Sequence, residues 1–327
     1  MVRLLLCFIA ATALLRGDAF LTMSTSPRIY DTVVVTGAST GLGREIALES
    51  ARVGHPVIAL GKAGPELEAL GEELDDIISG CATVECDLAD ADSMARASQA
   101  LMLRTKRIAA LIHNAGQMQG ESTGPMGKST TSNFKKDLEV NLLGPDYLTR
   151  RLLPLLGDGK ASARGVQEKD ATDSVLPRKL LSRVAVVTSG AAFTPVPSHY
   201  SYCVAKAGLV MWARCAAAEL ASSGVSVISV QPGGGAPMEE EIKTNALATE
   251  ELVPSQVHEM FQPDAASHKR AVEEAKRLLP ILLYHPIDFS GEAFDSDDSD
   301  NWDSLMQRCR PGVEYASSGI RYDSIVI

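Results

Sequence analysis

Residues 32–43 read TVVVTGASTGLG, an apolar run that leads into a glycine-rich turn. The run 32–36 has the β-branched composition of a strand that is buried on both faces. The helical pattern 43–53 follows the turn directly. Glycines allow a tight turn and close approach of the backbone, and the N–H groups that open a helix attract phosphate. A strand, such a turn and a helix in this order favour nucleotide binding over a plain strand-to-helix connection.

The alternation of strands and helices continues along the chain to residue 230. Strands are predicted at 32–36, 56–60, 82–86, 108–113, 184–188 and 225–230, and helices at 43–53, 65–76, 92–103, 131–156 and 200–222. Apolar strands that alternate with helices form a parallel sheet that is covered on both faces. We therefore expect a doubly wound α/β fold with three layers and a single domain.

The composition is that of a globular protein without an excess of basic residues. The 327 residues include 31 Lys and Arg against 41 Asp and Glu, which gives a net charge of −10. Because proteins neutralise nucleic-acid phosphates with clustered Lys and Arg, this charge disfavours nucleic acid as a partner. The six cysteines form no CxxC pair and no metal-ligand spacing, so we predict neither a metal site nor a disulfide scaffold.

Four segments have a composition of their own. Residues 1–22 are predicted to be a cleavable targeting segment, and residues 28–294 the folded domain. Within that domain, 157–183 is polar and is predicted to be a flexible insertion, while 234–263 is predicted to be a lid over the substrate. Residues 295–327 form an acidic C-terminal extension.

The N-terminal segment has the features of a secretory signal. Arg3 precedes an apolar core that is too short to cross a bilayer but suits a signal peptide. A buried helix is the alternative. The step from Ala19 to Phe20 resembles the cleavage motif of bipartite plastid presequences in algae with complex plastids. We expect entry into the secretory route, with such a plastid as a further destination, or a cytoplasmic protein if translation starts at Met23. We expect no membrane span in the mature chain.

Seven landmarks within residues 30–235 resemble, in order, those of the short-chain dehydrogenase/reductase family. They are the TGxxxGxG turn from Thr36 to Gly43, the pair Asp87-Leu88, His113-Asn114-Ala115-Gly116 with His in place of the first Asn of NNAG, Val140-Asn141-Leu142, Ser189, the YxxxK motif from Tyr202 to Lys206, and Pro232-Gly233. Each is weak alone, but the ordered set is specific. The resemblance implies a Rossmann-type sheet with a seventh strand after Ser290-Gly291. It also implies a homodimer or homotetramer in which the long helices pair.

The candidate catalytic residues are Asn141, Ser189, Tyr202 and Lys206. Tyr202 and Lys206 lie four positions apart in a predicted helix, so both project from one face. A Lys ammonium beside a phenol favours the phenolate, which suits a general acid or base, although a lone YxxxK is more often a tyrosine beside a solvated lysine. In the family, Ser189 hydrogen-bonds the substrate oxygen, and Asn141 bends its helix and holds a water that links Lys206 to solvent. The alternatives are an ordinary turn serine and an asparagine that bonds its own helix.

By the same resemblance, the cofactor is bound by the turn, the strand ends and the catalytic helix. These residues are Gly37, Ser39, Thr40, Gly41, Leu42, Gly43, Lys62, Asp87, Leu88, Asn114, Ala115, Gly116, Tyr202, Lys206, Pro232 and Gly233. NAD is selected by a carboxylate after the second strand, and NADP by positive charge near its 2′-phosphate. Lys62 follows that strand and no acid occurs before Glu66, so NADP(H) is favoured over NAD(H). Thr40 stands where many NADP-dependent members carry Arg or Lys, which weakens the preference.

The predicted function is hydride transfer between NADP(H) and a small-molecule carbonyl or alcohol, without a metal. The family commonly has a Thr shortly after Pro232-Gly233 that contacts the nicotinamide, whereas this chain has none before Thr244. The alternative is a non-catalytic NADP(H)-binding relative with a regulatory or partner-binding role. The intact set of four candidate catalytic residues favours the enzyme.

Overall fold

The computed structural model describes residues 32–118, 130–157, 182–196, 199–232, 265–285 and 290–295. Its strands are β1 Thr32–Thr36, β2 Val57–Gly61, β3 Ala82–Glu85, β4 Ile108–His113, β5 Ser182–Val187, β6 Val225–Gln231 and β7 Ala293–Asp295. They form one sheet in the order β3-β2-β1-β4-β5-β6-β7, and every neighbouring pair is parallel. The predicted doubly wound α/β fold is confirmed.

Helices cover both faces of the sheet. They are α1 Gly41–Arg52, α2 Pro65–Ile77, α3 Ala91–Arg104, α4 Thr131–Leu138, α5 Gly144–Leu152, α6 Tyr200–Leu220 and α7 Ala265–Tyr284. The segment predicted as one helix at 131–156 is interrupted, because a π-helical turn, Glu139–Leu143, joins α4 to α5 and a 3-10 turn, Leu153–Leu155, follows α5.

The inner strands are buried on both faces, whereas the edge strands β3 and β7 are only partly buried, so successive residues of an inner strand belong to different cores. Val33 and Val35 of β1 lie in the cluster that includes residues of α1, α2 and α7, whereas Val34 lies in the cluster that includes residues of α3, α5 and α6. This explains why the strands appear in the sequence as continuous apolar runs rather than as an alternation of apolar and polar residues.

The topology brings two distant segments together at the carboxyl edge of the sheet. The last residue of β1, Thr36, is paired with the last residue of β4, His113. The chain continues from β1 to β2 on one side, while β4 lies on the other, which makes this pair the switch point where open α/β sheets bind ligands. The glycine turn at 37–43 therefore lies beside residues 114–116.

Helix α7 is not among the elements predicted from the sequence. Its buried residues include Ala275, Leu278 and Leu282, which pack in the same cluster as α1. Their spacing of three and then four is that of one helix face and could have revealed the helix. Pro280, which lies inside α7, is the residue type that normally ends a helix and so hides the pattern.

The predicted insertion at 157–183 is wrong at its end, because β5 already begins at Ser182. The Ser182 hydroxyl donates to the Ile108 carbonyl at 2.7 Å and accepts from the Gly157 N–H at 2.8 Å. These bonds allow a polar residue to start a buried strand. Residues 158–181, in the middle of the predicted insertion, lie outside the described residues.

Several predictions fall on parts of the chain that the structure does not describe. They are the targeting segment at 1–22, Gly233 with the lid at 234–263, and all but the first residue of the extension at 295–327. In the part that is described, no helix has both the length and the apolar character needed to cross a membrane.

Candidate active site

The glycine turn is fixed by contacts that only glycine permits. Gly37 and Gly41 have φ angles of 64° and 58°. A Cβ on Gly37 would lie 2.6 Å from the Cα of Ala115, and one on Gly43 would lie 2.3 Å from the Gly37 carbonyl oxygen. Both distances are far below van der Waals contact, so the turn needs glycine for space as well as for conformation.

The end of β4 holds this turn in place. Asn114 Nδ2 lies 3.3 Å from the carbonyl oxygens of both Thr36 and Gly37 and donates to them, and the Ala115 N–H donates to Thr36 Oγ1 at 3.1 Å. Asn114 and Ala115 thus brace the turn from the end of the neighbouring strand. The role of the Thr36 hydroxyl was not predicted from the sequence.

The remaining turn residues differ in exposure. Thr40 is exposed and is the N-cap of α1, while Leu42 packs partly against the core. Ser39 Oγ is buried and has no hydrogen-bond partner among the described residues. A Cβ on Gly61 would lie 2.1 Å from this oxygen, so the hydroxyl is packed against the end of β2.

The residue predicted to select the cofactor is paired with a neighbouring strand end. Lys62 directly follows β2, and its Nζ lies 3.3 Å from Oδ2 of Asp87, beyond the end of β3. The other Asp87 oxygen accepts from the Ala89 N–H at 3.0 Å. Leu88, in contrast, is buried and lies against Gly144, so its side chain belongs to the core.

Tyr202 and Lys206 project from one face of α6 and are both buried, with exposures of 4% and 2%. The Lys206 Nζ lies 5.6 Å from the centroid of the Tyr202 ring and donates to the carbonyl of Val187, the last residue of β5, at 3.0 Å. Burial lowers the pKa of Lys206 to about 8, because the charged form loses its hydration. The pair is therefore not a tyrosine beside a solvated lysine.

Asn141 lies in the π-helical turn, and its amide is fully engaged. Its Nδ2 donates to the carbonyls of Gln117 and Asp137 at 2.7 and 2.9 Å, and its Oδ1 accepts from the Gln117 N–H at 3.1 Å. The bond to Asp137 is the local one that the sequence left open, and the pair of bonds to Gln117 ties the helix to the loop after β4. The position that a Cβ would take on Gly116 is 3.3 Å from both Asn141 Oδ1 and Lys206 Nζ, so these three residues meet.

Ser189 lies two residues beyond the carbonyl that Lys206 contacts. It is buried at 6% exposure and is the N-cap of the 3-10 turn Gly190–Ala192, with its Oγ accepting from the Ala191 N–H at 3.2 Å. This turn packs against α6, which carries Tyr202. Pro232 is the last of the predicted cofactor-binding residues that the structure describes. It is buried and directly follows β6.

A cleft of about 800 Å³ opens beside the turn, between α1, α2 and α7. Ser39 and Thr40 lie on its wall, and Arg44 on the same wall is paired with Glu45 and Glu73. None of the four candidate catalytic residues lines it. Across the described ranges, no three His, Cys, Asp or Glu side chains are placed to hold a metal ion.

Comparison with protein families identifies the chain. Residues 31–165 and 171–246 match the family model described as short chain dehydrogenase. The chain belongs to the short chain dehydrogenase family. The matched residues include the glycine turn, the end of β4, the π-helical turn, β5 and α6, which are the elements that build the site described above.

Individual relatives are distant. The chain is 28% identical to L-xylulose reductase of Caenorhabditis elegans over 200 residues, which cover 61% of this chain and 70% of the reductase. It is 27% identical to rat estradiol 17-beta-dehydrogenase 2 over 206 residues, which cover 62% of this chain and 47% of that enzyme. An actinorhodin polyketide ketoreductase with NADPH shares the fold, with a TM-score of 0.63 and 20% identity, over 81% of this chain and 95% of the ketoreductase.

Two residues at this short chain dehydrogenase site were not singled out from the sequence. Asp137 is fully buried in α4, and its Oδ2 accepts from the hydroxyl of Ser201, the residue before Tyr202. No local pattern marks Asp137, because it lies among the lysines of a polar helix. The one sequence signal is indirect. The buried Leu148 and Leu152 of α5 mark the inner face of the helical segment, and this face could have been extended back to α4.

Proposed function

We propose that the protein is an NADP(H)-dependent oxidoreductase that transfers hydride between the nicotinamide and the carbon of a carbonyl or alcohol substrate. The observation that carries the proposal is the buried Lys206 beside Tyr202 at the carboxyl edge of the sheet. Burying an ammonium group opposes folding. Its presence against a phenol is therefore best explained by proton transfer, which needs a group whose protonation is adjusted by its surroundings.

The residues of the turn fit a dinucleotide. No side chain fits at Gly37 or Gly43, so the backbone stays accessible where α1 begins. The free N–H groups at the start of a helix favour binding of a pyrophosphate. Asp87 would contact the adenine end, and residues 114–116 would line the nicotinamide end. When bound, the nicotinamide supplies or accepts the hydride.

Tyr202 acts as the general acid in reduction and as the general base in oxidation. In reduction, its O–H gives a proton to the oxygen of the substrate carbonyl as that oxygen gains negative charge. The Lys206 ammonium, which is mostly charged below pH 8, favours the phenolate that this step leaves behind. The Val187 carbonyl holds the ammonium in place beneath the ring.

Ser189 and Asn141 position the groups that take part in this proton transfer. The Ser189 hydroxyl, at the end of β5, donates to the same substrate oxygen and fixes it against Tyr202. Asn141 holds the loop after β4 beside Lys206. The Tyr202 phenolate would regain its proton from Lys206, which would in turn take one from water. Both groups act through position rather than through a change in covalent bonding.

The preference for NADP(H) rests on Lys62. It is the first residue after β2, and its partner Asp87 is half-exposed, so a 2′-phosphate can compete for the ammonium. We expect Lys62→Ala to raise the KM for NADPH by about tenfold, as the loss of one exposed phosphate contact, with little change for NADH. Steady-state kinetics with both cofactors test this, and Lys106→Ala, at a lysine before β4, is the control. Equal effects on NADPH and NADH would contradict the assignment.

The first test follows NADPH oxidation by the chain from Met23 onward with aliphatic, aromatic, keto-steroid, quinone and sugar-derived carbonyls. The names of the relatives, which are reductases and dehydrogenases, favour this panel. Turnover with at least one class is the expected result. Tight binding of NADPH without turnover on any class would instead support the binding protein that the sequence leaves as the alternative. Absence of NADPH binding would overturn the assignment of the turn.

A further inference from the structure

A carboxyl group is buried between the two helices that carry Asn141 and Tyr202. Asp137 of α4 has no exposed surface, and its Oδ2 accepts from Ser201 Oγ at 2.5 Å. Its Oδ1 is also buried, and no group in the described part of the chain bonds to it. Aspartate is almost never fully buried unless it is paired, and the salt bridges found among the described residues do not include Asp137. A buried carboxyl group without a charged partner lowers the free energy of unfolding, so its presence calls for a functional explanation.

Asp137 contacts both halves of the site at once. Its carboxylate binds Ser201, which directly precedes Tyr202 in the first turn of α6. Its backbone carbonyl accepts from Asn141 Nδ2 at 2.9 Å, across the start of the π-helical turn. One residue therefore connects the helix that carries the tyrosine to the turn that carries the asparagine.

The chemistry of the contact explains why a charged residue is used. A hydroxyl that donates to a carboxylate, as Ser201 does to Asp137, forms a bond about twice as strong as one between neutral groups. The carboxylate also lies at the first turn of a 21-residue helix, where the N-terminal partial positive charge stabilises an anion. The N-cap residue of α6 is His199, whose side chain makes no capping hydrogen bond.

A second contact joins the same two helices. One turn before Asp137, the Phe134 ring stacks on the Tyr200 ring, with centroids 5.7 Å apart and an angle of 14°. The stacking contributes apolar packing between α4 and α6. The contact between Asp137 and Ser201 adds a directional hydrogen bond to this packing.

We propose that Asp137 is a positioning residue of this site: its carboxylate fixes Ser201 and the first turn of α6, which carries Tyr202, while its carbonyl fixes the amide of Asn141. The proposal rests on the proposed function for its kinetic consequence, but its structural part stands without it. Displacing a reacting group by about 1 Å can lower a rate by about 100-fold. The contact therefore acts on kcat rather than on cofactor binding.

The test compares Asp137→Ala, Ser201→Ala, the double variant and Asp137→Asn. Each alanine variant should lower kcat by about 10- to 100-fold with a KM for NADPH within about threefold of the wild type. The kcat of the double variant should equal that of the less active single variant, because both substitutions remove the same interaction. Asp137→Asn should keep most of the kcat, since an amide oxygen still accepts from the Ser201 hydroxyl.

Ser182→Ala is the matched control. It also removes a fully buried hydroxyl that makes two hydrogen bonds, but at the opposite end of β5 from the site. It should lower the midpoint of thermal unfolding without lowering kcat. An equal loss of kcat in Ser182→Ala and Asp137→Ala at equal loss of stability would overturn the proposal, as would a kcat of Asp137→Ala within about twofold of the wild type.

Hydrogen exchange of the cofactor-free protein separates this proposal from the proposed function. Exchange in the first turn of α6 should be faster in Asp137→Ala and Ser201→Ala than in the wild type or Ser182→Ala. If the wild type reduces no carbonyl, the proposed function fails, and exchange alone then decides the role of Asp137. Unchanged exchange in the first turn of α6 would overturn it.

Discussion

The glycine turn and the Tyr202–Lys206 pair lie at the same edge of the sheet but relate to stability in opposite ways. In the turn, the bonds from Asn114 and to Thr36 that shape the binding surface also satisfy the backbone and join β1 to β4. At the pair, an ammonium is buried with one carbonyl as its hydrogen-bond acceptor. The first region therefore supports folding and binding together, whereas the second trades stability for chemistry.

The largest effect on the turn is expected from Gly43→Ala. The new Cβ would lie 2.3 Å from both Asn114 Nδ2 and the Gly37 carbonyl oxygen, so the turn must open. We expect a loss of about 3 kcal/mol in the free energy of unfolding and a loss of NADPH binding. Chemical denaturation and cofactor fluorescence measure the two effects.

Gly54→Ala is the control for that change. Gly54 has a φ of 96° and no atom within 4 Å of the position of a Cβ, so only backbone strain of about 1 kcal/mol is expected, with NADPH binding unchanged. If Gly43→Ala bound NADPH as the wild type does, the turn would not be the surface that holds the cofactor.

At the catalytic pair the effect on stability should have the opposite sign. Lys206→Met removes a buried cation whose pKa is lowered from 10.5 to about 8. Below pH 8 that cation opposes folding by about 3 kcal/mol, and loss of the bond to Val187 offsets about 1 kcal/mol, so the variant should be more stable by about 2 kcal/mol at pH 7. It should also lose turnover.

The gain in stability from Lys206→Met should become smaller as the pH rises. Between about pH 8 and 10.5 the folded wild type gives up the proton that the unfolded chain still binds, so wild-type stability rises in that window. Urea denaturation of both proteins at pH 7 and pH 10 measures the difference. A variant that is less stable than the wild type at both pH values would show that the lysine is not strained by burial.

A smaller effect on stability is expected at the end of β4, where His113 replaces the first Asn of the family signature. His113 is buried, its Nε2 lies 2.8 Å from Thr149 Oγ1, and burial lowers its pKa from 6.5 to about 3. Because the unfolded chain binds a proton below pH 6.5 and the folded chain does not, His113 should reduce stability by about 2 kcal/mol at pH 5 relative to pH 7. His113→Asn should remove this part of the acid sensitivity.

Denaturation of the wild type and His113→Asn at pH 7 and pH 5 measures it. His285, which is buried with its pKa likewise lowered to about 3, should continue to destabilise both proteins in acid. Equal slopes of stability against pH for the two proteins would mean that His113 is not kept neutral by the fold.

The same comparison explains what could be predicted from the sequence. The turn is contiguous: β1, three glycines and α1 follow one another, so the local pattern alone indicates what the segment does. The spacing of Tyr202 and Lys206 likewise lies within one helix. Helix α7 was missed because Pro280 interrupts a pattern that packing against α1 nevertheless stabilises.

Features that depend on contacts between distant residues could not be predicted. The family resemblance implies a bend at Asn141, but not that the bend is a π-helical turn at Glu139–Leu143 whose asparagine bonds Gln117 of another loop. The pairing of Asp137 with Ser201 joins residues that are 64 positions apart. Such contacts arise from the way helices pack on the sheet, which is set by the whole core rather than by local pattern.

The most direct test of the central claim is the kcat of Tyr202→Phe on the best carbonyl substrate, measured together with its affinity for NADPH. The substitution removes only the hydroxyl that gives the proton and leaves the ring beside Lys206. The account predicts a kcat at least about 100-fold below the wild type, which is the usual contribution of a general acid, with NADPH affinity within about threefold. A kcat within about tenfold of the wild type would contradict it, because proton transfer would then come from another group.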